Sequence, residues 1–186
     1  MLCHSFIVHV YHKTWRYVVT RLDLGCGPNK KEGFVGVDVR EFPGVDVVGN
    51  LGNDPWPWAD DSVDEAHCSH VLEHLTWPER IFFFNELHRV LKKGAKAQII
   101  IPHWCSSRYY GDPTHKEPMS EFAFYYLNAE WRRVNAPHAD YRCDFDFTYG
   151  YNIHPALNDR NPEYQRYATS WMKEAAQDIV ATLAKR

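Results

Sequence analysis

Residues 22–27 read Leu22, Asp23, Leu24, Gly25, Cys26, Gly27, and eleven residues further on the chain reads Gly36, Val37, Asp38. An apolar strand that runs into glycines can turn sharply, because a residue without Cβ admits left-handed backbone and lets a ligand approach closely. A carboxylate ending the next strand can accept hydrogen bonds from both hydroxyls of a ribose. The two pieces together predict a nucleoside lying across adjacent strand tips. The stretch from Gly25 to Lys30 lacks the third glycine of a dinucleotide loop and the Gly-Lys-Ser/Thr ending of a triphosphate loop. An adenosine ligand without phosphates therefore fits better than NAD or ATP. The alternative is a tight turn beside a solvated aspartate.

Working outward, short apolar runs at Tyr17–Leu24, Phe34–Val39 and Ala97–Ile101 read as buried parallel strands. Val63–Ser69 is a weaker strand, following the turn-rich stretch Asn53–Ser62. Leu72, Leu75, Ile81, Phe84, Leu87, Val90 and Leu91 recur at helical spacing, with Pro78 dividing the pattern and Gly94 stopping it. This alternation predicts an α/β, Rossmann-like, mostly parallel doubly wound sheet. Ligands of such sheets bind at the carboxyl ends of the strands, here the segments beginning at Gly25, Asp38, Asn50, Ser69 and Pro102.

The last third follows other periods. Residues 119–127 read as a helix packed on the sheet. Tyr141, Cys143, Phe145, Phe147, Tyr149, Tyr151 and Ile153 alternate with polar residues, which predicts a half-buried strand or hairpin. From Pro162 the apolar positions Tyr164, Tyr167, Ala168, Trp171, Ala175, Ile179 and Leu183 take helical spacing behind the start signal Asn161, predicting a C-terminal amphipathic helix. The organisation expected is a single domain over 1–186, with a cofactor-binding core at 17–127 and the strand or hairpin and terminal helix at 128–186.

Composition narrows the partners. A net charge of −3, from 21 basic and 24 acidic side chains, lacks the basic excess that phosphate contacts require, so a long nucleic acid is disfavoured. Apolar residues at 45% supply a core and argue against disorder. Cys3, Cys26, Cys68, Cys105 and Cys143 are odd in number and form no CxxC pair, which speaks for a reducing, cytoplasmic setting over a disulfide framework. His4, His9, His12, Lys13 and Arg16 interrupt Met1–Tyr17, so neither a signal-peptide core nor a membrane span is expected.

Six ordered segments between Leu22 and Leu127 resemble the class I S-adenosylmethionine-dependent methyltransferases, in particular a small bacterial and viral branch. Residues 23–27 resemble the family's first motif. Asp38 resembles its ribose-binding acid, and Asn50 with Leu51 stands at the adenine position. Residues 60–64 resemble the turn into the fourth strand and 70–74 the segment beneath the sulfonium. Residues 88–94 resemble the turn before the fifth strand. The resemblance implies S-adenosylmethionine held by Asp23, Gly25, Cys26, Gly27, Pro28, Asp38, Val39, Asn50, Leu51, Ser69 and His70. It also implies methyl transfer to a small-molecule, sugar or protein acceptor. The rival reading is a non-catalytic adenosyl-binding or interaction domain. Three departures stand out. About ten residues join the first two strands, leaving little room for the usual crossover helix. Asn50 replaces an acid. A terminal helix replaces the family's closing hairpin and strand, so the sheet is expected to lack an edge strand and to be covered there by that helix or by a second subunit, giving a homodimer.

Candidate catalytic groups are His70, Glu73 and His74, which share one helical face, then His103 at the next strand tip and His115 in the loop 111–116, which reads equally as an ordinary Asp112-Pro113-Thr114 turn or as a lid from which His115 and Lys116 face the acceptor. Glu73 with the histidines could hold a divalent metal, but structural hydrogen bonding without a metal is the preferred reading. Trp56 and Trp58 could cap an adenine or form a surface turn. Trp104, Tyr109, Tyr110, Phe122, Phe124, Tyr125 and Tyr126 are read mainly as core. Cys26 is given no catalytic role.

Overall fold

The computed structural model describes residues 19–186; the expectations for Met1–Tyr17, for the start of the first strand and for Cys3 lie outside them. Strand β1 (Arg21–Leu24) is buried along Leu22, Asp23 and Leu24 and pairs in parallel with β2 (Val35–Asp38) on one side and β4 (Val63–Ser69) on the other. A short β3 (Val47–Val48) extends this half beyond β2. Residues between β1 and β2 form turns with no helix, as the short connection requires.

A 3-10 turn, Leu72–His74, follows β4 and leads into α1 (Trp77–Val90). Pro78 sits in the first turn of α1, where the missing N–H costs nothing, and Glu79 accepts hydrogen bonds from both the backbone N–H and the hydroxyl of Thr76. Phe83, Phe84, Leu87 and Val90 bury the inner face of α1 against the sheet. Strand β5 (Leu91–Pro102) begins directly after α1, longer than the Ala97–Ile101 expected. Gly94, at φ +77, lies inside it, where the register against β4 shifts, so it makes a bulge and not a helix stop.

Beyond the short α2 (Ser107–Tyr110), residues Glu121–Leu127 make a 3-10 helix that buries Phe124 and Leu127. Trp104, Tyr110 and Phe122 are exposed. Helix α3 (Ala129–Asn135) precedes β6 (Phe145–Ile153). The alternation from Tyr141 becomes strand only at Phe145, because Arg142 and Cys143 donate their N–H groups to Asn85 of α1.

The C-terminal amphipathic helix is corrected. Helix α4 (Pro162–Trp171) starts where Asn161 predicts, its side chain accepting from the Tyr164 N–H, but stops after ten residues. Glu174 then takes φ +66 and the chain enters β7 (Ala176–Lys185). Ile179, Ala181 and Leu183 are fully buried at alternate positions. The i, i+4 spacing of Ile179 and Leu183 that suggested a helix serves a strand equally well, and pairing with a neighbour on each side outweighs local helix propensity. β7 runs antiparallel between β5 and β6, giving a seven-stranded sheet in the order β3-β2-β1-β4-β5-β7-β6. The expected missing strand is therefore present, and no long terminal helix exists to cover an edge or carry a dimer contact. No described helix is long and apolar enough to cross a membrane.

Candidate active site

At the tip of β1 the chain folds back on its neighbour: the N–H groups of Gly25 and Cys26 both donate to the Val37 carbonyl of β2, at 2.8 and 3.1 Å. Gly25 has φ +74, and a Cβ there would run into Val71. The glycine is needed twice over, for its backbone angle and for the close approach of the segment after β4. Asp23, buried one residue before the tip, accepts from the Lys31 N–H at 2.8 Å and bonds His67 Nδ1 at 2.9 Å. Burial pushes its pKa up, but His67 and the Lys31 amide prevail and hold it below the ordinary carboxylate value. Both carboxylate oxygens thus fasten the loop from inside. Asp23 shapes the turn without reaching its outer surface.

Asp38 closes the other side. Its Oδ2 accepts from Gly27 N–H and its Oδ1 from Arg40 N–H, each at 2.9 Å, so the glycine turn and this carboxylate are in direct contact. Each oxygen keeps a further lone pair for a ligand. A cavity of about 660 Å³ opens above them, walled on one side by Gly25, Asp38, Val39, Asn50 and Leu51 and on the other by His70, His74 and the loop residues Asp112, Thr114 and Lys116. That size suits a small organic molecule. Asn50 accepts from the Gly52 N–H through Oδ1 and faces the cavity beside Leu51. A buried Trp56 donates its indole N–H to the Leu51 carbonyl and packs edge-on against Phe83. Trp56 therefore braces Leu51 from the core instead of capping a base.

The far wall is built on β4. His70, immediately after that strand, adopts left-handed backbone (φ +56). Its Nδ1 bonds Glu73 at 3.1 Å, and this bond raises the imidazole pKa above its ordinary value against the opposing effect of burial. Nε2 lies 4.0 Å from Asp178 of β7, a buried carboxylate that Arg108 contacts through both oxygens and Asn152 through one.

Residues 30–99 match the family model described as a methyltransferase domain. The fold is shared along most of the chain. A SAM-dependent methyltransferase from Archaeoglobus fulgidus superposes with a TM-score of 0.62 at 21% identity, covering 90% of this chain and 86% of that one. An S-adenosylmethionine-dependent methyltransferase from Mesorhizobium loti superposes with a TM-score of 0.58 at 14% identity, covering 90% and 91%. No curated protein matches the sequence.

In fold, the chain is similar to the S-adenosylmethionine-dependent methyltransferases.

Both superposed proteins are named as S-adenosylmethionine-dependent. The residues here suit such a ligand: a backbone without Cβ at 25, a carboxylate at 38, an amide at 50 and an apolar side chain at 51 border one cavity. Of the residues expected from sequence, Gly25, Asp38, Val39, Asn50, Leu51, His70 and His74 are brought together there. Asp23, Cys26, Gly27, Pro28 and Ser69 stand outside its wall. Cys26 turns its sulfur toward Gly36, where burial pushes the thiol pKa up, consistent with no nucleophilic role. His103 is not part of the wall either; its ring packs against Trp104 and Tyr151, and its Nδ1 accepts from the Cys105 N–H. Glu73 is buried behind His70, and His115 lies behind His74 with the rings edge to face at 4.8 Å. His70, Glu73 and His74 do not share one helical face here, because the segment is a tip residue followed by a single 3-10 turn.

Sequence reading missed Arg40, Phe42, Val71, Leu75 and Glu79 of the wall and the Asp178–Arg108 pair behind it. Val71 lay inside the 70–74 segment and Leu75 in the helical periodicity that follows it. Asp178 had no local signal, since it was assigned to a helix.

Proposed function

We propose that the protein transfers the methyl group of S-adenosylmethionine to a small-molecule or sugar acceptor bound in the same cavity as the cofactor. The observation that carries this reading is the two-sided wall: the glycine turn and Asp38 on one side, His70 and the 112–116 loop on the other, around a volume of about 660 Å³. In this arrangement Asp38 receives the ribose hydroxyls, the Asn50 amide and Leu51 receive the adenine, and the Gly25 backbone borders the methionine end. The bound cofactor supplies an electrophilic methyl carbon on a sulfonium. Catalysis then rests chiefly on positioning the acceptor in line with that carbon, with an imidazole nearby to take the acceptor's proton. His70, oriented by Glu73, is assigned that place. The loop residues Asp112, Thr114 and Lys116 narrow the entrance, which favours a small acceptor over a folded protein.

Two measurements test the proposal. Calorimetric titration with S-adenosylhomocysteine is expected to show one saturable site that Asp38→Ala weakens. Incubation of a fractionated lysate with tritium-labelled cofactor is expected to place label in the low-molecular-weight fraction. Label confined to protein would overturn the acceptor assignment, and absence of a titration would overturn the cofactor site.

A further inference from the structure

We infer that Glu73, His74 and His115 form a binding site for one divalent transition-metal cation at the rim of the cavity. Each residue offers a ligating atom, and the three atoms lie within 4.8 Å of one another. Small side-chain rotations bring such a set onto one ion with bonds of ~2.1 Å.

Hydrogen bonding assigns the tautomers. His115 Nδ1 stands 2.6 Å from the Tyr109 carbonyl, which can only accept, so the proton is on Nδ1 and the lone pair on Nε2. Asp112 Oδ1 already accepts from the Thr114 N–H at 2.8 Å, so it is the acceptor toward that residue. The Thr114 hydroxyl, giving its proton to Asp112 at 2.7 Å, must accept from His74 Nδ1 at 3.1 Å. His74 is thereby left with its lone pair on Nε2 as well. Outer partners of this kind orient metal-binding imidazoles in general: a backbone carbonyl for one ring, a hydroxyl backed by a carboxylate for the other.

The third ligand shows the need for a cation directly. Glu73 is 3% exposed, and among the described residues its Oε2 has no hydrogen-bond partner, while Oε1 is taken by His70. The buried guanidinium of Arg80 donates to the carbonyls of Leu72 and Glu117 instead. A buried carboxylate oxygen without a donor is costly, and a cation removes the cost. Two imidazoles and one carboxylate suit zinc, cobalt, iron or manganese better than magnesium or calcium, which prefer all-oxygen sites. Asp112 Oδ2, 3.9 Å from His115 Nε2, stands near as a further oxygen. A cation here joins the 3-10 turn after β4 to the 111–116 loop and abuts the cavity through His74.

The test is a cobalt(II) titration of the full chain after treatment with chelator, read by visible d–d absorption and by calorimetry. One equivalent is expected to bind, and His115→Ala or His74→Ala to weaken it by more than about a hundredfold, beyond the loss usual for outer partners. Thr114→Val, which leaves all three ligands in place but removes the hydroxyl that orients His74, is expected to weaken cobalt by about 10–100-fold. His103→Ala is expected to bind as the parent does. Asp38→Ala should weaken S-adenosylhomocysteine yet keep cobalt unchanged, so failure of the cofactor site is distinguishable from failure of this one. Absence of saturable cobalt binding, or binding that survives both histidine substitutions, overturns the assignment.

Discussion

Asp38 is reached by two backbone donors, from Gly27 and Arg40, before any ligand arrives. Its geometry is therefore fixed by the fold, and its replacement should be felt in binding more than in stability. Asp38→Ala is expected to weaken S-adenosylhomocysteine by about tenfold to a hundredfold, the loss of one or two hydrogen bonds to a charged group, with calorimetry as the measurement. Gly25→Ala should behave in the opposite way. The left-handed backbone and the collision with Val71 Cγ2 together are expected to cost at least about 1–3 kcal/mol, seen as a lower urea midpoint. Both residues were legible in the sequence, because a glycine turn and a following acid declare themselves within a few positions. The carboxylate of Asp178 was not, since its contact with Arg108 spans seventy residues of chain and its strand had been assigned as helix.

Among the elements, β7 carries the most instructive departure from sequence expectation. Its ten residues hold no Gly or Pro and two alanines at buried sites, a composition that suits a helix. Only the neighbours decide otherwise: β5 and β6 each offer an unpaired row of backbone groups that a strand between them satisfies completely. Helix α1 was legible by contrast in its period, although Pro78, read as dividing the pattern, stands in its first turn. Leu183→Ala, at a fully buried position of β7, is expected to cost about 2–5 kcal/mol in denaturant unfolding. Ala181→Pro removes a ladder N–H from the middle of the sheet and is expected to yield insoluble protein on expression, whereas Ala181→Val should remain soluble with a small loss from overpacking.

For the molecule as a whole, a ligand that binds only the folded chain stabilises all of it. S-adenosylhomocysteine at a hundred times its Kd is expected to add ~2.7 kcal/mol and raise the unfolding temperature by about 5–10 °C, an increase that Asp38→Ala should cut to about 0.4–1.4 kcal/mol at the same concentration. The parallel half of the sheet was readable from strands alternating with a helix, while the antiparallel half, which depends on long-range pairing, was readable only at β6. One trait of the parallel half has a broader effect. Where a crossover helix is missing between β1 and β2, carboxylates do the fastening: Asp23 grips Lys31, Asp38 grips Gly27, and Asp46 grips Gly36 and Lys30. Asp23 and Asp46 are held below their ordinary value of 3.8. Their stabilisation is present above that value and is lost as pH falls through the depressed ones. On acidification the amides of Lys31 and Gly36 should accordingly lose hydrogen-exchange protection while those of β5 and β7 keep theirs. The turn beside the cavity is thus expected to open first in acid, by loss of carboxylate bonds, while the apolar contacts of β5 and β7 still hold.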